Sequence, residues 1–244
     1  KPIVLVVDDN QDIREFVKSL LVENFRVIEA KNGLEGIEKA FKIIPDIIIS
    51  DLIMPLKTGI ELCEILKHDE KTSHIPIIIL TGKTDEKDEI KGLNTGADDY
   101  ITKPFNPKAL QIKISNIIQS RHKIHQLYKQ DNLFSTKEIA VTSADEIFLE
   151  KVQKILDQHL SNPEFTSEVF SKHVGMSRMQ LHRKMLAYTG LSTSNFIRSQ
   201  RLKQATSVLK SSQHTINEVA YMVGFSTPSY FIKCFKKSYA RVPY

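Results

Sequence analysis

Five polar residues stand at or just beyond the ends of strand-like apolar runs. Asp8 and Asp9 close the run Ile3 to Val7, Asp51 closes Ile47 to Ser50, Thr81 follows Ile77 to Leu80, and Lys103 follows Tyr100 and Ile101. Brought onto one edge, three carboxylates, a hydroxyl and an ammonium can hold a divalent cation and stabilise an anion beside it. Without such a cation the carboxylates would repel one another by several kcal/mol at low effective dielectric, so a neutralising ion is expected. Oxygen-only ligands point to Mg²⁺, which keeps some of its waters and accepts phosphate oxygens.

The elements that must position these residues alternate. Strand-like runs at Ile3 to Val7, Arg26 to Ile28, Ile47 to Ser50, Ile77 to Leu80 and Tyr100 to Ile101 are separated by stretches of helical period. The helices read as Asp12 to Glu23 (Ile13, Phe16, Val17, Leu20, Leu21), Gly33 to Phe41 (Leu34, Ile37, Ala40, Phe41) and Gly59 to Lys67 (Ile60, Leu62, Cys63, Ile65, Leu66). Two more are expected at Asp85 to Asn94 and Pro107 to Ile118. Short strands alternating with helices predict an α/β doubly wound, five-stranded parallel sheet covered on both faces and ending near residue 120. Ligands of such a sheet sit beyond the carboxyl ends of its strands, where the five polar residues fall.

The string Val6-Val7-Asp8-Asp9, the loop Asp51-Leu52-Ile53-Met54-Pro55, Thr81-Gly82 and Lys103-Pro104-Phe105 resemble the receiver domain of two-component response regulators, of flavodoxin-like fold. The resemblance covers residues 1–120. It implies that Asp51 is the phosphoacceptor and that Asp8, Asp9, Asp51 and the backbone carbonyl of Ile53 hold Mg²⁺. It further implies that Thr81 binds the acyl phosphate, that Lys103 ion-pairs with it, and that Thr81 and Tyr100 are the switch residues. Ile53 and Lys83 would flank the path of a hydrolytic water. The Lys103-Pro104 bond is a candidate for the cis isomer, which only X-Pro bonds reach cheaply, with a trans turn as the alternative.

Charge divides the chain. Residues 1–120 hold 16 Lys and Arg against 20 Asp and Glu, whereas residues 166–244 hold 12 against 2, so an acidic front precedes a back half suited to a polyanion. The longest apolar runs are far too short to span a membrane, and no signal peptide opens the chain, so no membrane contact by these residues is expected. Two cysteines 171 positions apart, Cys63 and Cys234, support neither a disulfide framework nor a thiolate cluster and fit a reducing, cytoplasmic setting. The chain opens on Lys1, which suggests the cytoplasmic end of a larger, membrane-anchored hybrid sensor or a trimmed standalone regulator.

Residues 121–144 read as a helical extension and linker. Leu110, Ile114, Ile117, Arg121, Ile124 and Tyr128 recur at spacings of three and four. They suit either a dimerising coil or a helix whose first half packs on the sheet and whose remainder is a solvated tether, with residues 129–144 as linker. His122 and His125 have no carboxylate or thiol partner and read as solvated. Ser143 with Glu146 is a capping box that starts the next helix.

From residue 145 to 244 the pattern is helical, opening with Ile147, Phe148, Val152, Ile155, Leu156 and Leu160 on one face. Then the chain repeats itself: Val174-Gly175-Met176-Ser177 and Val223-Gly224-Phe225-Ser226 lie 49 residues apart. Each follows a short apolar helix (Ser167 to His173; Ile216 to Met222) and precedes a polar one, as in a helix-turn-helix. Thr227 reads as a cap and Pro228 as the first helical residue. Joined by a basic helix from Thr193 to Leu209, the two units resemble the DNA-binding domain of AraC-family transcription activators. Arg198, Arg201 and Ala205 match the linking helix of that family, and Phe231, Phe235, Lys236 and Lys237 its second unit. Ala240 and Val242 depart from it.

The recognition helices are then Arg178 to Leu186 and Pro228 to Lys237. Leu181 and Met185 face inward by their spacing, which leaves Arg178, Met179, His182 and Arg183 outward. On the second helix Tyr230, Phe231, Cys234 and Phe235 look inward, leaving Ser229, Ile232, Lys233, Lys236 and Lys237. The resemblance implies that Met179, His182, Arg183, Ser229, Ile232 and Lys233 meet base edges, with Lys236 a phosphate contact. The expected function is a phosphorylation-dependent transcription regulator that takes its phosphoryl group from a histidine kinase, in the same polypeptide or another, and binds double-stranded DNA as a homodimer. Its only catalysis would be its own phosphoryl transfer and dephosphorylation. The alternatives are a phosphoryl relay or sink whose helical part docks to protein, and a DNA-binding protein whose receiver no longer responds.

Overall fold

The structure is a computed structural model, and it describes residues 1–82, 96–131, 143–211 and 214–243; the side chains of residues 120–131 and 211 are not described. The chain forms two compact units, built principally on Lys1–Ile124 and Phe148–Tyr244.

In the first unit, β1 (Ile3–Val7), β2 (Arg26–Ala30), β3 (Ile47–Asp51), β4 (Ile77–Gly82) and β5 (Asp99–Lys103) form a parallel sheet in the order β2-β1-β3-β4-β5. Alternate residues of each strand point to opposite faces. Leu5, Val7, Ile48, Ile77 and Ile79 pack under α2 (Gly33–Ile43) and α3 (Gly59–His68). Val4, Val6, Ile47, Ile49, Ile78 and Leu80 pack under α1 (Gln11–Leu21) and the first turns of α4 (Pro107–Asp131) through Val17, Leu21, Leu110 and Ile114. This is why the strands read as unbroken apolar runs.

The helix stripes are narrower than their period suggests. Phe16, Leu34 and Ile65, expected on core faces, are 45%, 44% and 38% exposed. A straight helix touches a flat sheet along a limited arc, so the outer residues of a wide stripe stay wet. The helix expected at Asp85 to Asn94, with Lys83, lies outside the described residues. The helix that opens at Pro107 runs on past Ile118, through the residues read as a helical extension, to Asp131, so residues 129–131 are helical rather than linker. The side chains of Arg121, His122, Ile124, His125 and Tyr128 lie outside the described residues.

Caps fix where the helices begin. Asn10 Oδ1 accepts the N–H groups of Asp12 and Ile13, and Asn32 Oδ1 that of Glu35. Thr58 and Glu61 make a capping box at the start of α3, with Lys57 Nζ 2.8 Å from Glu61. The Lys57 ammonium, helped by the Thr58 N–H, lowers the Glu61 carboxyl from 4.5 to about 2. Because the folded value lies below the unfolded one, this stabilisation is complete above about pH 4.5 and is lost as the pH falls toward 2. Glu61→Gln is expected to flatten that part of the stability curve in an acid titration followed by circular dichroism; an unchanged acid limb would contradict the assignment.

The second unit is helical: α5 (Ser143–His159), α6 (Ser167–Val174), α7 (Arg178–Thr189), α8 (Thr193–Ser211), α9 (Ile216–Met222) and α10 (Pro228–Tyr239). Ser143 is already helical, and the residue before it is outside the described set. Ile147, placed by its spacing on the apolar face, is 61% exposed, while Phe148, Leu149 and Val152 are buried. Ala205, Val219, Ala220, Phe225, Phe231, Cys234 and Phe235 build the core of the second helical hairpin. The repeated tetrapeptides form matching turns. Met176 N–H donates to Ser171 O and Phe225 N–H to Ala220 O, both at 3.0 Å, around glycines with φ of 80° and 87°.

Candidate functional site

The parallel register brings the strand ends together. Val7 pairs with Ser50, Asp51 with Leu80, and Gly82 with Lys103, so Asp8, Asp51, Thr81 and Lys103 share one edge. Between β1 and β3 the strand order reverses, which opens the crevice where doubly wound sheets bind ligands. Oxygens of Asp8, Asp9 and Asp51 lie within 4.8 Å of one another. Two full charges at that distance repel by roughly 3 kcal/mol at an effective dielectric of about 20.

Lys103 offsets part of this. Its Nζ stands 2.6 Å from Asp51 Oδ1 and 2.9 Å from Asp8 Oδ2. Burial by itself would lower the Lys103 pKa, but its hydrogen bonds to Asp51 and Asp8 outweigh it and the pKa is raised. Burial pushes the Asp51 carboxyl up, against the pull of Lys103. One ammonium among three carboxylates leaves a net negative, all-oxygen cluster. That donor set fits a hard divalent cation such as Mg²⁺.

Asp8 is buried, Asp51 half-buried and Asp9 exposed. Thr81 is buried, and its hydroxyl donates to Gly82 O at 3.2 Å. Ile53 is 67% exposed, on the loop that follows Asp51. Tyr100 is partly buried against the core under α2 and α3. The Lys103-Pro104 bond is cis.

Two supports of this rim escaped the sequence reading. Arg14 Nη1 donates to the carbonyls of Asp8 and Asp9 at 2.8 and 3.2 Å, clamping the acidic turn from α1. Gly59 lets the backbone close over the loop that follows Asp51: a Cβ there would clash with Asp51 O. Neither has a signal in spacing, since both act on backbone atoms that only the fold brings near.

The second candidate surface lies on α7 and α10. Arg178, Met179 and His182 are exposed, and Arg183 is partly so. On α10, Ser229, Lys233, Lys236 and Lys237 are exposed and Ile232 is partly so. Two expectations fail. Tyr230 is 47% exposed rather than inward, its ring 5.7 Å from the Arg198 guanidinium, because Phe231, Cys234 and Phe235 already fill the core. Thr227 makes no side-chain cap, and Pro228 alone sets the helix start.

Two basic residues do not belong to the open surface. Lys184 is fully buried, its ammonium 4.4 Å from the Phe148 ring centroid and 5.4 Å from that of Tyr188. Arg201 donates to the carbonyls of Leu160, Asn162 and Phe165, tying the end of α5 to α8. The exposed positive charge is therefore smaller than the count of Lys and Arg suggests.

The family profile described as response regulator receiver domain matches residues 4–115, and one described as helix-turn-helix domain matches residues 170–244. Histidine kinase P4 of Formosa agariphila is 38% identical over 243 residues, 100% of this chain and 18% of that protein. The phosphate regulon transcriptional regulatory protein PhoB of Pseudomonas aeruginosa is 41% identical over 117 residues, 48% of this chain and 51% of PhoB. The solved receiver domain of a signal transduction histidine kinase from Syntrophus aciditrophicus is 33% identical, with a TM-score of 0.48, over 49% of this chain and 92% of that one. The chain thus spans only part of the curated relatives it matches. Among the described residues no helix is long and apolar enough to cross a membrane.

Proposed function

Given that residues 4–115 are a response regulator receiver domain and residues 170–244 an AraC-type helix-turn-helix domain, we propose that this chain is a phosphorylation-controlled transcription regulator with Asp51 as its phosphoacceptor. The observation that carries the reading is the clustering of the Asp8, Asp9 and Asp51 carboxylates at the sheet's switch point, with the Lys103 ammonium paired to Asp8 and Asp51. An Asp51 carboxylate oxygen attacks the phosphorus of a kinase phosphohistidine; the P–O bond forms as the P–N bond breaks, and the imidazole leaves. Lys103 and the Thr81 hydroxyl stabilise the charge on the transferring oxygens. Asp8, Asp9, Asp51 and the Ile53 carbonyl would hold a Mg²⁺ ion, which would supply the remaining neutralising charge.

The product adds about two negative charges to the rim. Thr81, on β4, and Tyr100, on β5, would respond to that charge. The altered receiver surface favours pairing with a second copy, which raises occupancy of paired DNA sites. Arg178, Met179, His182 and Arg183 on α7, with Ser229, Ile232, Lys233 and Lys236 on α10, face the duplex. The alignment of the whole chain with Histidine kinase P4, of which it covers 18%, supports a place within a longer hybrid sensor, with the kinase in the same polypeptide.

Selection of bound duplexes from random sequence tests the DNA reading. Two short blocks about one helical turn apart are the expected outcome. Arg183→Ala is expected to relax preference at one block, losing about 1 to 3 kcal/mol of discrimination. Uniform weakening across all sequences would recast Arg183 as a backbone contact, and recovery of no enriched sequence would sink the reading.

A further inference from the structure

Arg14 lies in the first turns of α1 and reaches back over the start of its own helix. The β1 ladder ends at Val7, and the carbonyls of the next two residues, Asp8 and Asp9, accept from a single nitrogen, Arg14 Nη1, at 2.8 and 3.2 Å. The Nε edge of the guanidinium faces β2. There Glu29 Oε2 stands 3.7 Å from Arg14 Nε, and Glu29 Oε1 stands 2.6 Å from Lys18 Nζ. The Arg14 side chain is only 14% exposed, and these partners hold an otherwise rotamer-rich group in one place.

The two aspartates depend on that hold to different degrees. Asp8 is buried, and both of its carboxylate oxygens accept, from Asn10 N–H at 2.9 Å and from Lys103 Nζ at 2.9 Å. Asp9 is exposed, and among the described residues no group bonds its carboxylate. That carboxylate nevertheless lies within 4.8 Å of those of Asp8 and Asp51. Its place in the trio is therefore set by its backbone, and Arg14 is the side chain that holds that backbone.

We infer that Arg14 is a positioning residue for the divalent cation: by holding both carbonyls it keeps the Asp9 carboxylate within reach of Asp8 and Asp51, and Glu29 anchors it there. The inference rests on the metal-binding reading above and deepens it. Charge and position act in opposite senses. A guanidinium beside the rim repels an incoming cation, so by charge alone its removal strengthens metal binding. By position its removal weakens binding, because a carboxylate that loses its support no longer converges with the others.

Arg14→Met in the full chain tests this, because it keeps the apolar stem and removes both the charge and the donors. Mn²⁺ serves as the probe of a hard divalent site, its free concentration read by electron paramagnetic resonance with no phosphoryl donor present. The affinity of Arg14→Met is expected to fall about tenfold below that of the wild type, as for other groups that orient metal ligands. The Mg²⁺ concentration that gives half-maximal phosphoryl uptake is expected to rise by a similar factor. Loss of stability alone moves neither quantity in a variant that circular dichroism shows to be folded at the temperature of measurement. Should Arg14→Met fail to fold, Arg14→Lys takes its place: the charge is unchanged and the reach is shorter, so a fall in affinity is again expected. Unchanged or tighter Mn²⁺ binding by the folded variant overturns the positioning role while leaving the metal site intact. Wild-type Mn²⁺ binding that Asp9→Asn does not weaken overturns the metal site and the inference together.

Discussion

Asp51→Asn abolishes uptake of a phosphoryl group from a small-molecule acyl-phosphate donor while leaving the fold intact. The amide cannot form the acyl phosphate, yet its oxygen can still accept from Lys103, which stands 2.6 Å from Asp51 Oδ1 in the wild type. Removing the carboxylate also relieves its repulsion with Asp8 and Asp9, so no loss of melting temperature is expected. The comparison is read by intact-mass spectrometry after incubation with donor and Mg²⁺: the wild type gains one phosphoryl group and the variant none. A variant that still takes up one group would move the acceptor to another residue. The Lys103 ammonium and the acidic trio would then need a different explanation.

Gly224→Ala destabilises the second unit by about 2 to 5 kcal/mol, whereas Gly175→Ala costs about 1 to 2 kcal/mol. Both glycines hold left-handed backbone, at φ of 87° and 80°, so either substitution incurs the conformational cost. Their surroundings differ. A Cβ on Gly175 meets only the far end of Lys151 at 4.0 Å, but one on Gly224 lies 2.6 Å from Leu160 O and 2.9 Å from Arg201 Nε. That second contact strikes the guanidinium where it holds the chain after α5. Against a typical total stability of about 5 to 15 kcal/mol, the larger cost is a substantial fraction of what holds the unit together. Thermal denaturation of the two variants checks this directly. Equal losses would show that left-handed backbone alone matters and that the approach of the second turn to α5 does not.

These two glycines illustrate what the sequence discloses. The repeated Val-Gly-X-Ser tetrapeptide is enough to locate both turns, because a left-handed residue after a short helix favours glycine whatever surrounds it. The difference between them is invisible in the repeat, since it depends on Leu160 and Arg201, which lie 64 and 23 positions earlier. The acidic rim was legible for a similar reason. Asp8, Asp9 and Asp51 end apolar runs, and a parallel sheet must bring the ends of its strands to one side. Arg14 and Gly59 were not, since their targets are backbone carbonyls.

The helical half was harder to read at the level of single side chains. Period alone puts Tyr230 on the same face as Phe231 and Phe235, yet three residues suffice to fill the space under α8 and α9, and Tyr230 turns to Arg198 instead. Lys184 shows the converse. A charged type suggests an outward residue, but its position three after Leu181 places it inward, where two aromatic rings accept the ammonium. Counting charge therefore overstated the open basic surface, while the exposed Arg178, His182, Lys233, Lys236 and Lys237 remain available to a polyanion.

The most direct test joins the two halves: the affinity of the intact chain for its selected duplex, measured with Mg²⁺ before and after treatment with an acyl-phosphate donor, for the wild type and for Asp51→Asn. A gain in affinity with the donor that is absent in Asp51→Asn is the expected result. Identical affinity of the wild type with and without the donor, once mass spectrometry has shown the phosphoryl group in place, would contradict control of DNA binding by Asp51.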